Sequence, residues 1–201
     1  PDLVVQKVKE NPYVLCKVSG FGFKTVDAYA LNMGIPKDSP HRIESAVLYI
    51  LQEQANSKGH CWITKEQLLN EAVELIHLSQ NIIEQHLPQF KDVYIRENMV
   101  GLAKYYYYEK KIYEKLNQLL QAEPKVKAEN VQKKIEEAEL EQGFKYTEEQ
   151  RKAIELFSQE NVMVLNGYAG TGKSTSLRGI YKLYKDCSTI AMCALSGKAA
   201  Q

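Results

Sequence analysis

The chain has 201 residues, enough for one large domain or two small ones, with 44% apolar and 25% charged residues, an ordinary balance for a globular protein. Its formal net charge of +1 neither requires nor excludes nucleic acid, because a local basic stripe can sit in a neutral chain. No apolar run approaches membrane-spanning length, Ile190 to Leu195 being among the longest, and no stretch of the 201 residues reads as a signal peptide. Four scattered cysteines (Cys16, Cys61, Cys187, Cys193) without a C-x-x-C pair read as buried reduced thiols in a cytosolic protein, not as a zinc site or a disulfide framework.

Residues 1–36 read as two short helices around a hairpin. Leu15-Cys16-Lys17-Val18-Ser19-Gly20-Phe21-Gly22-Phe23-Lys24 carries the hydrophobic-x-Gly-hydrophobic-Gly pattern of a helix-hairpin-helix. Gly20 and Gly22 free their backbone N–H groups to face a phosphate at a helix start, with Lys24 beside the same spot. Such a device grips a nucleic-acid backbone without reading sequence. A tight turn whose glycines only allow close packing is the alternative.

From 41 to about 122 the order is helix, helix, helix, hairpin, as in a winged helix. Ile43, Val47, Ile50 and Leu51 mark a helix ending at Gly59. Thr64-Lys65-Glu66-Gln67 reads as a capping box before Leu68, Leu69, Ala72, Val73 and Ile76. Ser79 caps a third helix that stops at Pro88, and Val93–Arg96 with Met99–Leu102 form a hairpin turning at Glu97-Asn98. The helix pair carries few basic residues, which favours a packing role over DNA reading. The four histidines (His41, His60, His77, His86) share no ligand spacing. A long helix is expected over Ala103 to Ala122; at helical spacing its run Tyr105-Tyr106-Tyr107-Tyr108 points four ways, so packing is expected ahead of base stacking. Pro124 to Gln142, rich in Lys and Glu, reads as a linker or solvated helix.

The strongest motif comes last. Gly167-Tyr-Ala-Gly-Thr-Gly-Lys-Ser174 is a complete G-x-x-x-x-G-K-[ST] phosphate-binding loop. Val162-Met163-Val164-Leu165 reads as a buried strand before it, and Leu177, Ile180, Tyr181, Leu183 and Tyr184 have helical spacing after it. Gly167, Gly170 and Gly172 allow successive amides to face one anion at a helix N-terminus. Lys173 can reach the β and γ phosphates, and Ser174 can ligate Mg²⁺. Upstream, Thr147 and Gln150 form a capping box; Gln150, 17 residues before Gly167, also stands where the Q motif of helicases presents a glutamine amide to adenine. Downstream, Ser188 to Ala194 reads as a second strand running into Leu195-Ser196-Gly197-Lys198-Ala199-Ala200, similar to helicase motif Ia, where Ser196 and Lys198 suit DNA phosphates.

Asn-Pro-Tyr-Val-Leu, Gly-Phe-Gly-Phe-Lys-Thr-Val-Asp, Gly59-His60, Thr-Glu-Glu-Gln, Gly-Tyr-Ala-Gly-Thr-Gly-Lys-Ser-Thr and Ala-Leu-Ser-Gly-Lys-Ala-Ala, in this order, resemble the RecD/TraA family of superfamily 1 helicases. The likeness is to its stand-alone RecD-like members with an N-terminal helix-hairpin-helix extension. The resemblance implies an ATP- and Mg²⁺-dependent DNA helicase moving 5′ to 3′ in DNA repair or recombination, cytoplasmic and working at the bacterial nucleoid. It implies that Gln150 contacts adenine, that Gly167, Gly170, Thr171, Gly172, Lys173, Ser174 and Thr175 hold the triphosphate and metal, and that Ser196 and Lys198 touch DNA. The expected fold is a mostly α N-terminal region, helix-hairpin-helix plus winged-helix-like module, followed by the start of an α/β RecA-like P-loop domain. The expected divisions are 1–40, 41–122, a linker over 123–143, and 144–201. The chain opens on Pro1 and reaches Gln201 without an acidic strand after the P-loop, so a piece of a longer protein, itself inactive, is expected. A P-loop phosphotransferase and a nucleotide-sensing DNA-binding adaptor are the competing readings.

Overall fold

The computed structural model describes residues 2–123 and 129–194. The chain divides into two compact units, Pro1–Lys111 and Ile112–Gln201. It is mostly helical, with one small sheet.

In the first unit, α1 (Asp2–Glu10) precedes a 3-10 helix, Pro12–Lys17, which opens on Pro12 with the Asn11 side chain accepting from the Tyr13 amide. The first helix of the expected helix-hairpin-helix is therefore this short 3-10 piece. The hairpin follows, and α2 (Phe23–Asn32) begins at Gly22. Helix α3 (Pro40–Lys58) ends as expected at Gly59, whose φ of 75° is the left-handed cap that glycine adopts without strain. Strand β1 (Trp62–Thr64) leads into α4 (Lys65–Ile76), then α5 (Gln80–His86), and β2 (Val93–Arg96) and β3 (Met99–Leu102) form the hairpin. The sheet order is β1-β3-β2, all antiparallel, with Trp62 opposite Gly101 and Gly101 opposite Tyr94.

One core serves the whole unit. Phe23, Val26 and Ala30 of α2, Ile43, Val47 and Ile50 of α3, Leu68 and Ala72 of α4, Ile83 of α5 and Val100 of β3 all belong to it. At its edge lies a buried polar hub. Arg42 donates through Nε and Nη2 to both oxygens of Asp27 (2.8 and 3.0 Å) and through Nη1 to the carbonyls of Lys37 and Ile76. The Tyr13 hydroxyl donates to Asp27 Oδ1 at 2.7 Å, and burial together with that carboxylate pushes its pKa up. A buried ion pair needs this many partners, because each unsatisfied donor would carry a desolvation cost.

Helix α6 (Ala103–Gln121) carries the tyrosine run, and its four rings do diverge. Tyr105 packs on the core, Tyr106 stacks on Tyr94 at 3.8 Å, and Tyr107 and Tyr108 are exposed.

The second unit packs α7 (Val131–Gln142), α8 (Glu148–Phe157) and α9 (Lys173–Tyr184) around Ile135, Ala138, Tyr146, Ile154, Ile180 and Leu183. Gly179 lets α8 and α9 approach closely, since a Cβ there would collide with the Ile154 side chain and come 3.0 Å from the Tyr146 hydroxyl.

Several expectations are corrected. Residues 131–142 are not a solvated spacer: Val131, Ile135 and Ala138 make an apolar stripe narrow enough to hide in a Lys/Glu-rich segment, and it is packed. The segments 162–165 and 188–194 form no β-ladder among the described residues, and Val164 is 87% exposed. A strand is defined by its neighbours, and neither segment has one there. Ser79 sits at the start of α5 without a side-chain cap bond, and the Thr64 box is half made: Thr64 accepts from the Gln67 amide, but Gln67 Nε2 donates onward to Glu71. Cys16 and Cys61 are half-buried and Cys187 and Cys193 exposed, so none is the buried thiol expected. No described helix is long and apolar enough to cross a membrane.

Candidate nucleotide and nucleic-acid sites

The P-loop runs from Leu165 into α9. Gly170 and Gly172 have φ of 79° and 81°, and Gly172 is the residue from which the helix starts. The first intrahelical bond runs from the Ser176 amide to the Gly172 carbonyl at 3.0 Å. The amides of Lys173, Ser174 and Thr175 thus lie in the first turn, where a helix offers them no acceptor. The loop is braced from within: the Thr171 hydroxyl donates to the Tyr168 carbonyl at 2.9 Å, and a Cβ on Gly167 would stand 2.7 Å from that hydroxyl oxygen. Lys173 Nζ lies across the loop and donates to the carbonyls of Gly167 and Tyr168 at 2.6 and 2.5 Å. Its ammonium is therefore held over the concave side of the glycine turn.

Gln150 is brought to this loop. The capping box at the start of α8 is complete: the Gln150 amide donates to the Thr147 hydroxyl at 3.3 Å, and Gln150 Oε1 accepts from the Thr147 amide at 3.1 Å. The other end of the same carboxamide, Nε2, packs against the Cα of Gly172, where a Cβ would strike it. Behind α8, Glu139 accepts from the Tyr146 amide (3.0 Å) and from Arg151 (2.8 Å). Burial works to raise the Glu139 carboxyl, but those two donors outweigh it and hold it below the usual carboxylate range. These bonds fix the approach of α8 to the loop.

At the other end of the chain, Gly20 takes φ of 94°, while Gly22 is extended at φ −74°, ψ 155° and caps α2. The amides of Thr25 and Val26 both bond the Gly22 carbonyl, which leaves those of Phe23 and Lys24 in the open first turn. Lys24 is exposed, and a Cβ on either glycine would meet nothing within 4 Å. Phe21 at the tip is also exposed. The two glycines thus differ: Gly20 is required by the backbone, whereas Gly22 is not. Sequence reading treated them alike because only torsion angles separate them. Ser196 and Lys198 lie outside the described residues. No group of His, Cys, Asp and Glu suited to a metal ion occurs among the described residues.

One feature that the sequence did not reveal is an aromatic cluster on the outer face of the sheet, where Trp62 meets Tyr94 and Tyr106 edge-on and donates from Nε1 to Glu109 at 2.9 Å. The pairing signal lay in the strand register, which brings Trp62 and Tyr94 to either side of Gly101.

Comparison with known proteins bears on both ends. Residues 2–62 match the family model of the ATP-dependent RecD2 DNA helicase HHH domain, and residues 145–201 match that of the AAA domain. The ATP-dependent RecD2 DNA helicase of Deinococcus radiodurans is 26% identical over 220 aligned residues, covering 98% of this chain. The chain spans 30% of the length of that relative. The helicase relative aligns across both matched segments and the stretch between them, so the chain is similar to a fragment of a RecD-like helicase.

Proposed function

We propose that this chain contributes the DNA-engaging N-terminal region and the nucleotide-binding loop of an ATP-driven, 5′ to 3′ DNA helicase of repair or recombination. The observation that carries the reading is the cradle at Gly170, Gly172 and the first turn of α9, with Lys173 held over it. A triphosphate fits such a cradle: open amides, the positive end of a twelve-residue helix and an ammonium converge on one spot. Bound ATP with Mg²⁺ would supply the free energy of phosphoryl transfer to water.

The chain's own groups then have distinct tasks. The amides of Gly172 to Thr175 hold phosphate oxygens, with Gly167, Gly170 and Thr171 shaping the turn. Lys173 would exchange its two loop carbonyls for phosphate oxygens, and the Ser174 hydroxyl would help hold the metal. The Gln150 Nε2 donates to the adenine edge; its Oε1, bonded to the Thr147 amide, keeps a second lone pair for the base amine.

In the first unit, the arrangement α3, β1, α4, α5, β2, β3 with sheet order β1-β3-β2 supports a winged-helix reading. Ahead of it, Gly20, Gly22 and Lys24 present the open first turn of α2 to a DNA phosphate. Calorimetric titration of the 201-residue chain with Mg·ATP tests the nucleotide site. Lys173→Ala is expected to lose most of the affinity while the circular dichroism spectrum is unchanged, and equal affinities would overturn the role of Lys173.

A further inference from the structure

Beside Trp62 runs an open groove of about 330 Å³. Its walls include Lys58, His60, Trp62, Gln67 and Met99, with the buried Gln54 at its floor. No aspartate or glutamate lines it. The strand register carries the surface onward, since Met99 pairs with Arg96, which stands on the same face of β2 as Tyr94. Lys58 thus lines the groove, and Arg96 extends the same sheet face beyond Met99.

Further observations separate this place from ordinary packing. Trp62 faces away from the core, which takes Ile63 from the same strand, and the ring is half-buried. The backbone accommodates it: a Cβ on Gly101 would lie 3.1 and 3.3 Å from indole carbons and 2.5 Å from the Cys61 carbonyl. The Glu109 bond and the Tyr94–Tyr106 stack then hold the indole from behind. Finally, Gln54 is 2% exposed and donates from Nε2 to Glu71 at 2.6 Å, yet its Oε1 has no hydrogen-bond partner. A buried acceptor without a donor is uncommon and sets this floor apart from a fully satisfied core.

We infer that this groove binds single-stranded nucleic acid, one base stacking on Trp62 with Lys58 and Arg96 taking the flanking phosphates. A pre-set aromatic beside cations, in a groove whose lining holds no acid, is the composition of sequence-tolerant single-strand sites. Helix α5, Gln-Asn-Ile-Ile-Glu-Gln-His, carries no lysine or arginine, and the hairpin turn is Glu97-Asn98, which leaves Arg96 at the end of β2 as the basic group beside that turn. The inference rests on the DNA-binding reading above and adds a second contact to it.

Trp62 is the single tryptophan of the chain, so its fluorescence reports this groove alone. The 201-residue chain is titrated with an unlabelled single-stranded oligonucleotide of about 12 nucleotides, a length within the usual range of single-strand sites. Binding is followed in parallel by the anisotropy of a labelled copy. Saturable quenching that tracks the anisotropy is expected. Lys58→Glu is expected to lower the affinity and shift the quenching with it, and Trp62→Ala to lower the affinity roughly five- to tenfold, the loss of one stacked base. Gly22→Ala, in the hairpin, should lower affinity but leave the quenching at saturation intact. Anisotropic binding without Trp62 quenching overturns the inference and leaves DNA binding to the hairpin. No binding in either signal overturns both readings. Trp62→Phe, expected to keep most of the affinity, guards against a folding artefact in Trp62→Ala.

Discussion

Gly20 and Gly22 offer a way to separate a hairpin that binds phosphate from one that only turns the chain. At Gly20, φ is 94°, where an L side chain is strained by about 1–2 kcal/mol whatever the space around it. Gly20→Ala should therefore lower the stability of the first unit by about that amount. Gly22 is different: φ is −74° and a Cβ would meet nothing within 4 Å. Alanine at a helix start is poorer than glycine by a few tenths of a kcal/mol, but it also restricts the unfolded chain, worth about 0.4–1 kcal/mol in the other direction. These offset, so Gly22→Ala should melt within about 0.5 kcal/mol of the parent. The added methyl would nevertheless stand beside the open turn of α2. If a phosphate docks there, the loss of a charge-assisted bond of about 1.5 kcal/mol or more should weaken DNA binding roughly tenfold or more. Thermal melts and fluorescence anisotropy on the two variants make the comparison. Full DNA affinity in Gly22→Ala, with Gly20→Ala weakened only as far as it unfolds, would refute phosphate docking at this hairpin.

Two other perturbations follow from the buried charges. Asp27→Ala should cost about 3–5 kcal/mol in urea denaturation of the first unit, because it strands a buried Arg42 and the Tyr13 hydroxyl; Arg42→Met with Asp27→Leu together should cost much less. Glu139 is held below its ordinary pKa in the folded chain, so its contribution is fully present above the unfolded value of about 4.3 and fades as pH falls through the folded one. Glu139→Gln should lower the stability of the second unit at neutral pH and flatten its loss below about pH 4.5; an unchanged acid limb in melts at several pH values would refute the assignment.

What was legible in the sequence was what has local cause. Gly59 ends its helix, Thr147 and Gln150 cap theirs, and the hairpin turns at Glu97-Asn98, because each is set by residues a few positions apart. The P-loop was legible for the same reason. The packed face of α7 was missed because it holds only three of the twelve positions, and the fourth apolar residue, Leu140, lies off it. The two segments expected as strands show the opposite limit: their composition suits a buried sheet, but ladders are made by distant partners. The Arg42 hub was invisible for a further reason. An arginine among aliphatic residues reads as surface, and only the fold brings Asp27 and the Ile76 carbonyl to it.

That hub also sets where the chain can be cut or grafted. The hairpin looks portable, a short motif with its own helix. Yet Arg42 belongs to α3, its acid partner to α2 and one of its carbonyl acceptors to the end of α4, so a transplanted piece stopping near residue 40 would carry Asp27 away without its counter-ion. The smallest transferable unit that keeps these bonds closed runs from the 3-10 helix through α4, and swaps between related chains should keep positions 13, 27 and 42 together as one set.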